Sequence, residues 1–206
     1  MRMESDEHEV LPPKAKQMYQ AVLEMISEGN DVGVITVSGI TTRAGIGKGT
    51  AYEYFKSKEE LIGKALEWNF RTQMEDLYET ICREEGFHDK VYALLNWLEE
   101  RVRFGDVFRQ TFRLAAVNAG LFSCSGAGLK GSMSKEDYLF WINRVFDNMM
   151  EAGFCEGVLN PAGSEYNRRT GIVSQLVVYF GFLKKDKKDL SKIKDQIYQN
   201  LLLLNQ

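Results

Sequence analysis

Between Val37 and Phe55 the chain offers two helical runs, each too short to stand alone, joined through a glycine. Thr36 carries the side-chain oxygen of a good N-cap. Val37, Ile40 and Ala44 recur behind it at helical spacing, which predicts a two-turn helix from Val37 to about Ala44. Gly45 stands just past the last of these, where a residue without Cβ can take the left-handed conformation that closes a helix, and Ile46 can then turn back onto a core. A second short helix, from Gly47 to about Phe55, has little beyond Ala51 and Phe55 to bury. Helices this short are not stable in water without a tertiary support.

The neighbouring sequence supplies that support. Pro12 and Pro13 punctuate the start of a helix, and Ala15, Met18, Tyr19, Val22, Leu23 and Ile26 form one apolar stripe that ends near Gly29. Ser57 followed by Glu60 is a capping box opening a long helix through Leu61, Ile62, Ala65, Leu66, Phe70, Met74 and Leu77 to about Glu84. The pattern predicts a three-helix headpiece in which Ile40, Ala44 and Phe55 rest on the first stripe. The other face of the second short helix carries Lys48, Gly49, Thr50, Tyr52 and Tyr54, which are hydrogen-bond donors and bare backbone. That is the chemistry of a helix-turn-helix whose second helix enters the major groove of DNA.

In fixed order and without gaps, the chain reads Thr-Val at 36–37, Ala-Gly-Ile at 44–46, Lys-Gly-Thr at 48–50, Tyr-x-Tyr-Phe at 52–55 and Lys-Ser-Lys-Glu-Glu-Leu at 56–61. These motifs resemble the tetracycline-repressor (TetR) family over roughly Ala15 to Leu66, and the rest of the chain carries no matching motif. The resemblance implies that Thr36, Tyr52, Tyr54 and Lys58 hold phosphates while Lys48, Gly49 and Thr50 lie against base edges. It also implies a ligand cavity in the helices that follow. Two positions depart from the family pattern. Thr41 stands where a small alanine usually packs between the two short helices, and Glu53 puts an anion on the groove-facing helix.

The formal charge of −3 excludes a generally basic coat for nucleic acid, so DNA affinity has to come from a local patch. Between Thr36 and Lys58 the cations Arg43, Lys48, Lys56 and Lys58 face only Glu53, a local excess of positive charge in an acidic chain. Glu4, Asp6, Glu7 and Glu9 make the first residues an acidic tail. Cys82, Cys124 and Cys155 have neither the spacing of a disulfide framework nor that of a zinc site, which predicts a reducing compartment and no metal. No apolar run approaches the roughly 20 residues that span a bilayer, and the N-terminus lacks a signal-peptide pattern, so the expected location is cytoplasmic without a membrane partner.

Beyond the long helix the chain reads as helix throughout, with no strand pattern. Gly86 and Asp89 suggest a break. Val91–Phe104 and Asp106–Phe122 are amphipathic, Ser123–Ser134 is a glycine and serine loop, and Ser134 opens a helix that Gly153 is expected to stop. Tyr166–Leu183 and a terminal helix through Leu190, Ile193, Ile197, Leu201 and Leu204 follow a basic turn at 184–188. The reading is all-α, about nine helices, with a tail over 1–12, a DNA-binding headpiece over 13–66 and an effector and dimerisation region over 67–206. Ile172, Val173, Leu176, Val177, Phe180, Ile197 and Leu201 offer more apolar surface than one small domain needs to bury, which predicts a homodimer through a four-helix seam.

Other chemistries find less support. Gly126 to Gly131 spells a dinucleotide fingerprint without the strand and βαβ unit that motif requires, and the glycines from Gly45 to Gly49 miss two positions of a phosphate loop, so no cofactor is expected. His8 and His88 are isolated and no nucleophile-base set is present, which argues against an enzyme, and Cys124 reads as a spectator rather than a redox sensor. Aromatic stripes at helical spacing are usually core. Their concentration in the middle helices, near Arg101, Arg103, Arg109 and Arg113, together with the resemblance, nominates Trp97, Phe104, Phe108, Phe112 and Trp141 as lining for an apolar or amphipathic small molecule. The sequence-level conclusion is a regulator, most simply a repressor, that a ligand releases from a palindromic DNA operator. The rival is a helical interaction protein whose short helices meet a protein partner.

Overall fold

The structure is a computed structural model that describes residues 11–103, 105–118, 132–162, 164–183 and 190–204. Phe104, Cys124, the acidic tail over 1–10, the fingerprint-like glycines at 126–131 and the basic turn at 184–188 lie outside them. The described residues form nine helices and no strand: α1 (Pro13–Ser27), α2 (Val37–Ala44), α3 (Lys48–Tyr54), α4 (Lys58–Cys82), α5 (Phe87–Arg103), α6 (Asp106–Asn118), α7 (Lys135–Cys155), α8 (Glu165–Leu183) and α9 (Leu190–Leu203). No helix among them is long and apolar enough to cross a membrane.

The chain divides into two compact units, one holding residues 1–70 with 106–134 and the other 71–105 with 135–206. The first contains the headpiece and takes in α6 as well. Its core is built from the α1 stripe, with Met18, Val22 and Ile26 at most 1% exposed, from Ile35 and Ile40 around α2, from Ala51 and Phe55 around α3, and from Leu61, Ile62, Ala65 and Leu66 of α4. Leu114 of α6 joins the same cluster. The short helices survive because one side of each is covered in this way, as their length demands. Two buried polar ties sit near the end of this unit. Asn69 donates to Thr111 Oγ1 at 2.8 Å, and the Glu67 carboxylate accepts from Ser132 Oγ and from the Met133 amide at 2.9 and 2.8 Å.

In the second unit α5 packs on α7 and α9, and α8 packs on α9. Lys90, almost fully buried, donates to the Ile81 carbonyl and to Asn148 at 2.9 Å each. It thereby places a cation at the C-terminal turn of α4, where exposed carbonyls favour one. Lys194 similarly joins α9 to α5 through Glu99 and Asn96 at 2.6 Å.

Two boundaries differ from the sequence reading. Helix α5 begins at Phe87, before the expected Val91, because the Glu156 carboxylate accepts the Phe87 amide at 3.0 Å and supplies a cap from 69 residues away. Gly153 does not stop α7. It is buried within the helix, and a Cβ there would lie 2.4 Å from Leu159 Cδ1, so this glycine makes room for a neighbour. Gly157, with φ of 68°, is the left-handed residue beyond the helix end.

Candidate nucleic-acid interface

The turn between α2 and α3 is fixed locally. Thr36 Oγ1 accepts the Gly39 amide at 3.1 Å and so caps α2. At the other end Gly45 adopts φ of 66°, its amide reaching the Thr42 carbonyl while the Ile46 amide reaches Thr41 at 2.9 Å. This pair of bonds satisfies carbonyls that the helix end would otherwise leave open. Thr41, the departure from the family pattern, is only 3% exposed. Its hydroxyl donates to the Ser38 carbonyl at 3.1 Å, so the polar group enters the packed side of α2 already satisfied.

Helix α3 turns Ala51 into the core and everything else outward. Lys48, Gly49, Tyr52, Glu53 and Tyr54 are exposed and Thr50 is half-buried; Tyr52 keeps 54% of its surface accessible. An exposed tyrosine with its phenol in water has no packing reason to be there. A Cβ added to Gly49 would meet no atom within 4 Å, so the bareness of that position serves nothing inside the protein. The sequence-nominated residues Lys48, Gly49, Thr50, Tyr52 and Tyr54 thus share one seven-residue helix, with Thr36 capping the helix before it and Lys58 opening the helix after it.

Lys58 and Arg43 carry partners that spacing did not reveal. The Lys58 ammonium donates to the Gly33 carbonyl at 2.9 Å, tying the turn before α2 to the start of α4 and leaving two further N–H donors. Arg43 makes a two-pronged bond to the Glu28 carboxylate at 2.7 and 2.8 Å and lies 3.7 Å from Glu24. The hydrogen bond to Arg43 holds the Glu28 carboxyl below its ordinary range. Arg43 is therefore compensated from α1, and the positive character of this face rests on Lys48, Lys56 and Lys58. Thr36, Ser38, Gly39, Thr42 and Arg43, with Met25, border an open depression of about 530 Å³ on the α1–α2 side.

At the head of α4, Ser57 Oγ accepts the Glu60 amide at 3.1 Å while the Glu60 carboxylate reaches back to the Lys56 amide at 2.7 Å, one residue beyond the reciprocal bond of a standard capping box. Lys64 first, and the Lys56 amide next, hold the Glu60 carboxyl low. The segment presenting Lys56 and Lys58 is rigidly seated.

The nominated ligand residues are distributed over the two units. Phe108 and Phe112 stack at 4.3 Å in the first, with Phe112 edge-on to Phe70 at 5.9 Å. Trp97 and Trp141 belong to the second. The Trp97 indole donates to Asp76 at 2.7 Å under the Arg101 guanidinium, which itself bonds Gln73 and Asp76, and Arg144 stands over both Tyr78 and Trp141. Arg109 pairs with Asp106 and Arg113 is exposed. Of the nominated dimer residues, Ile172, Ile197 and Leu201 are buried within the protomer, Val173, Leu176 and Phe180 are half-buried, and Val177 is 54% exposed. Val178 and Leu203, also about half exposed or more, are not singled out by the sequence, and Leu204, which closes the stripe of the terminal helix, is 51% exposed.

Residues 31–65 match the family model described as bacterial regulatory proteins, tetR family. Among curated proteins none is similar enough to be matched with this chain. Solved structures share its fold. The regulator FadR of Bacillus subtilis, in complex with stearoyl-CoA, is 21% identical with a TM-score of 0.63, covering 91% of this chain and 97% of its own. The fatty acid degradation regulator FadR of Bacillus halodurans is likewise 21% identical over the same shares, with a TM-score of 0.61. A TetR family transcription regulator of Marinobacter aquaeolei VT8 is 13% identical with a TM-score of 0.58, covering 93% of this chain and 95% of its own. The matched segment spans α2, the Gly45 turn and α3, so the headpiece is similar to bacterial regulatory proteins of the tetR family, and the chain shares its fold with these solved structures.

Proposed function

We propose that the chain acts as a homodimeric transcriptional regulator, a repressor, that binds a palindromic DNA operator through α3 and leaves it when a small apolar or amphipathic ligand binds. The observation that carries the reading is the outward face of α3, where tyrosines, a lysine, a threonine and a bare glycine stand in solvent opposite one buried alanine. A surface evolved for a protein partner would gain from apolar side chains at the position of Gly49, whereas a groove floor gains from bare backbone. In this reading residues 13–66 read DNA and residues 67–206 bind the ligand and dimerise. The half-exposed Val177, Val178, Leu203 and Leu204 of the last two helices support the second assignment, because a monomer keeps such side chains in water at a cost. Two-fold pairing would set two copies of α3 about 34–36 Å apart, the repeat of the major groove.

Helix α4 begins at Lys58 and continues into the second unit, so a ligand held there has a continuous element through which to act on the headpiece. A ligand preferring the DNA-incompetent form tenfold contributes about 1.4 kcal/mol per site, and two sites weaken DNA binding about a hundredfold. The likeness to a regulator that holds stearoyl-CoA makes a long-chain acyl-CoA the first ligand to try. The test has two steps. Purified protein is used to select fragments of bacterial genomic DNA, and stearoyl-CoA is then titrated against free and DNA-bound protein. Recovery of a palindrome bound tenfold or more weaker in the presence of acyl-CoA supports the whole reading. A ligand that binds both forms equally has no regulatory part, since it cannot shift their balance.

A further inference from the structure

We infer that Glu53 is a specificity-determining residue that reads a cytosine in each half-site, an inference that rests on DNA binding through α3. At about 100° per residue, Gly49 and Glu53 each stand about 160° round the helix axis from Ala51, one on either side of the pole opposite it. Ala51 is 2% exposed and marks the inward direction, so Gly49 and Glu53 form the outermost crest of α3, with Thr50 and Tyr52 on its shoulders. The crest is what goes deepest into a groove. Gly49 contributes no side chain, which leaves Glu53 as the one side chain on that line.

Among the described residues Glu53 makes no hydrogen bond or ion pair; Lys48 and Lys56, its nearest cations in sequence, do not neutralise it. An uncompensated carboxylate facing DNA is repelled by every phosphate, so it lowers affinity for all sequences alike. Only a base that donates to it offsets that repulsion. An ionised carboxylate is acceptor-only. In the major groove guanine presents two acceptors, thymine an acceptor and a methyl group, and adenine an amino group beside the N7 acceptor, whereas cytosine presents its N4 amino group. Cytosine is therefore the base that Glu53 selects, and the penalty on all others is what makes the selection sharp.

The experiment selects duplexes from a random library with the full-length protein and with Glu53→Ala and Glu53→Gln. Because Glu53 is exposed and unpartnered, both variants keep the fold, which their helical circular dichroism and melting temperature verify. Wild-type protein is expected to enrich a palindrome with one cytosine per half-site preferred about 5- to 150-fold over other bases. Glu53→Ala is expected to lose that preference at this position alone while binding non-operator DNA more tightly. Glu53→Gln is expected to move the preference to adenine, which an amide can meet as both donor and acceptor. If the wild type enriches a motif that Glu53→Ala reproduces with undiminished preference at every position, the inference falls and the DNA-binding reading stands. If the wild type enriches nothing, both fall.

Discussion

The side chains of this protein divide into those whose partners lie within a helical turn or two and those whose partners lie far along the chain. Thr36, Ser57 and Glu60 belong to the first kind, and their capping roles could be read from spacing, although Glu60 reaches the Lys56 amide rather than that of Ser57. Arg43 and Lys58 belong to the second. Glu28 neutralises Arg43 from 15 residues upstream and the Gly33 carbonyl accepts a hydrogen bond from Lys58 from 25 upstream, contacts that follow from how α2 packs on α1 and how the start of α4 meets the turn before α2, and that no local pattern announces. Tyr92 is of the second kind too. Burial first, and then its bond to the Asp195 carboxylate of α9, push its phenol from the ordinary value near 10 up to about 12. Because the folded protein holds this proton more tightly than the unfolded chain, the associated stability is complete below about pH 10 and is lost as pH rises toward 12. Urea unfolding across that interval is expected to show a steeper decline for wild type than for Tyr92→Phe. Identical declines would remove Tyr92 from the alkaline transition.

At the scale of elements, the helices were legible because each carries a stripe at three- and four-residue spacing and most carry a recognisable stop. Glycines were legible only where their backbone is unusual. Gly45 at φ of 66° ends α2 as its position suggested. Gly153 looked the same in sequence and does the opposite, since its lack of Cβ admits Leu159 to the side of α7. Gly153→Ala is accordingly expected to destabilise the protein by about 1–3 kcal/mol through overpacking, despite the better helix propensity of alanine. The midpoint of urea unfolding checks this, and an unchanged or raised midpoint would mean that Leu159 moves aside freely. The start of α5 escaped the sequence reading for a related reason. Its cap is the Glu156 carboxylate, 69 residues later, so no signature precedes Phe87.

At the scale of the whole molecule, an apolar stripe states that a residue is covered without stating by what. The concentration of aromatics in the middle helices and the family resemblance group Phe108 and Phe112 with Trp97 and Trp141, yet the two pairs fall in different compact units. The same ambiguity runs through α8 and α9, where Ile172, Ile197 and Leu201 serve the protomer's own core and Val177 remains in solvent. Exposure within a single chain makes Val177→Glu a probe of association, because a charge at a half-exposed position costs little in the fold of that chain. Light scattering at micromolar concentration is expected to show a dimer for wild type and a monomer for Val177→Glu, with weaker DNA binding by the latter. A variant that stays dimeric would place the seam elsewhere. DNA recognition by the headpiece is tested most directly by the affinity for the selected operator as a function of salt. The expected result is a linear fall of log K with log salt concentration, at about −0.9 per phosphate contact, with a slope of several units that Lys58→Met lessens by about one. An affinity that does not change with salt, or a slope that Lys48→Ala and Lys58→Met both leave intact, would contradict it.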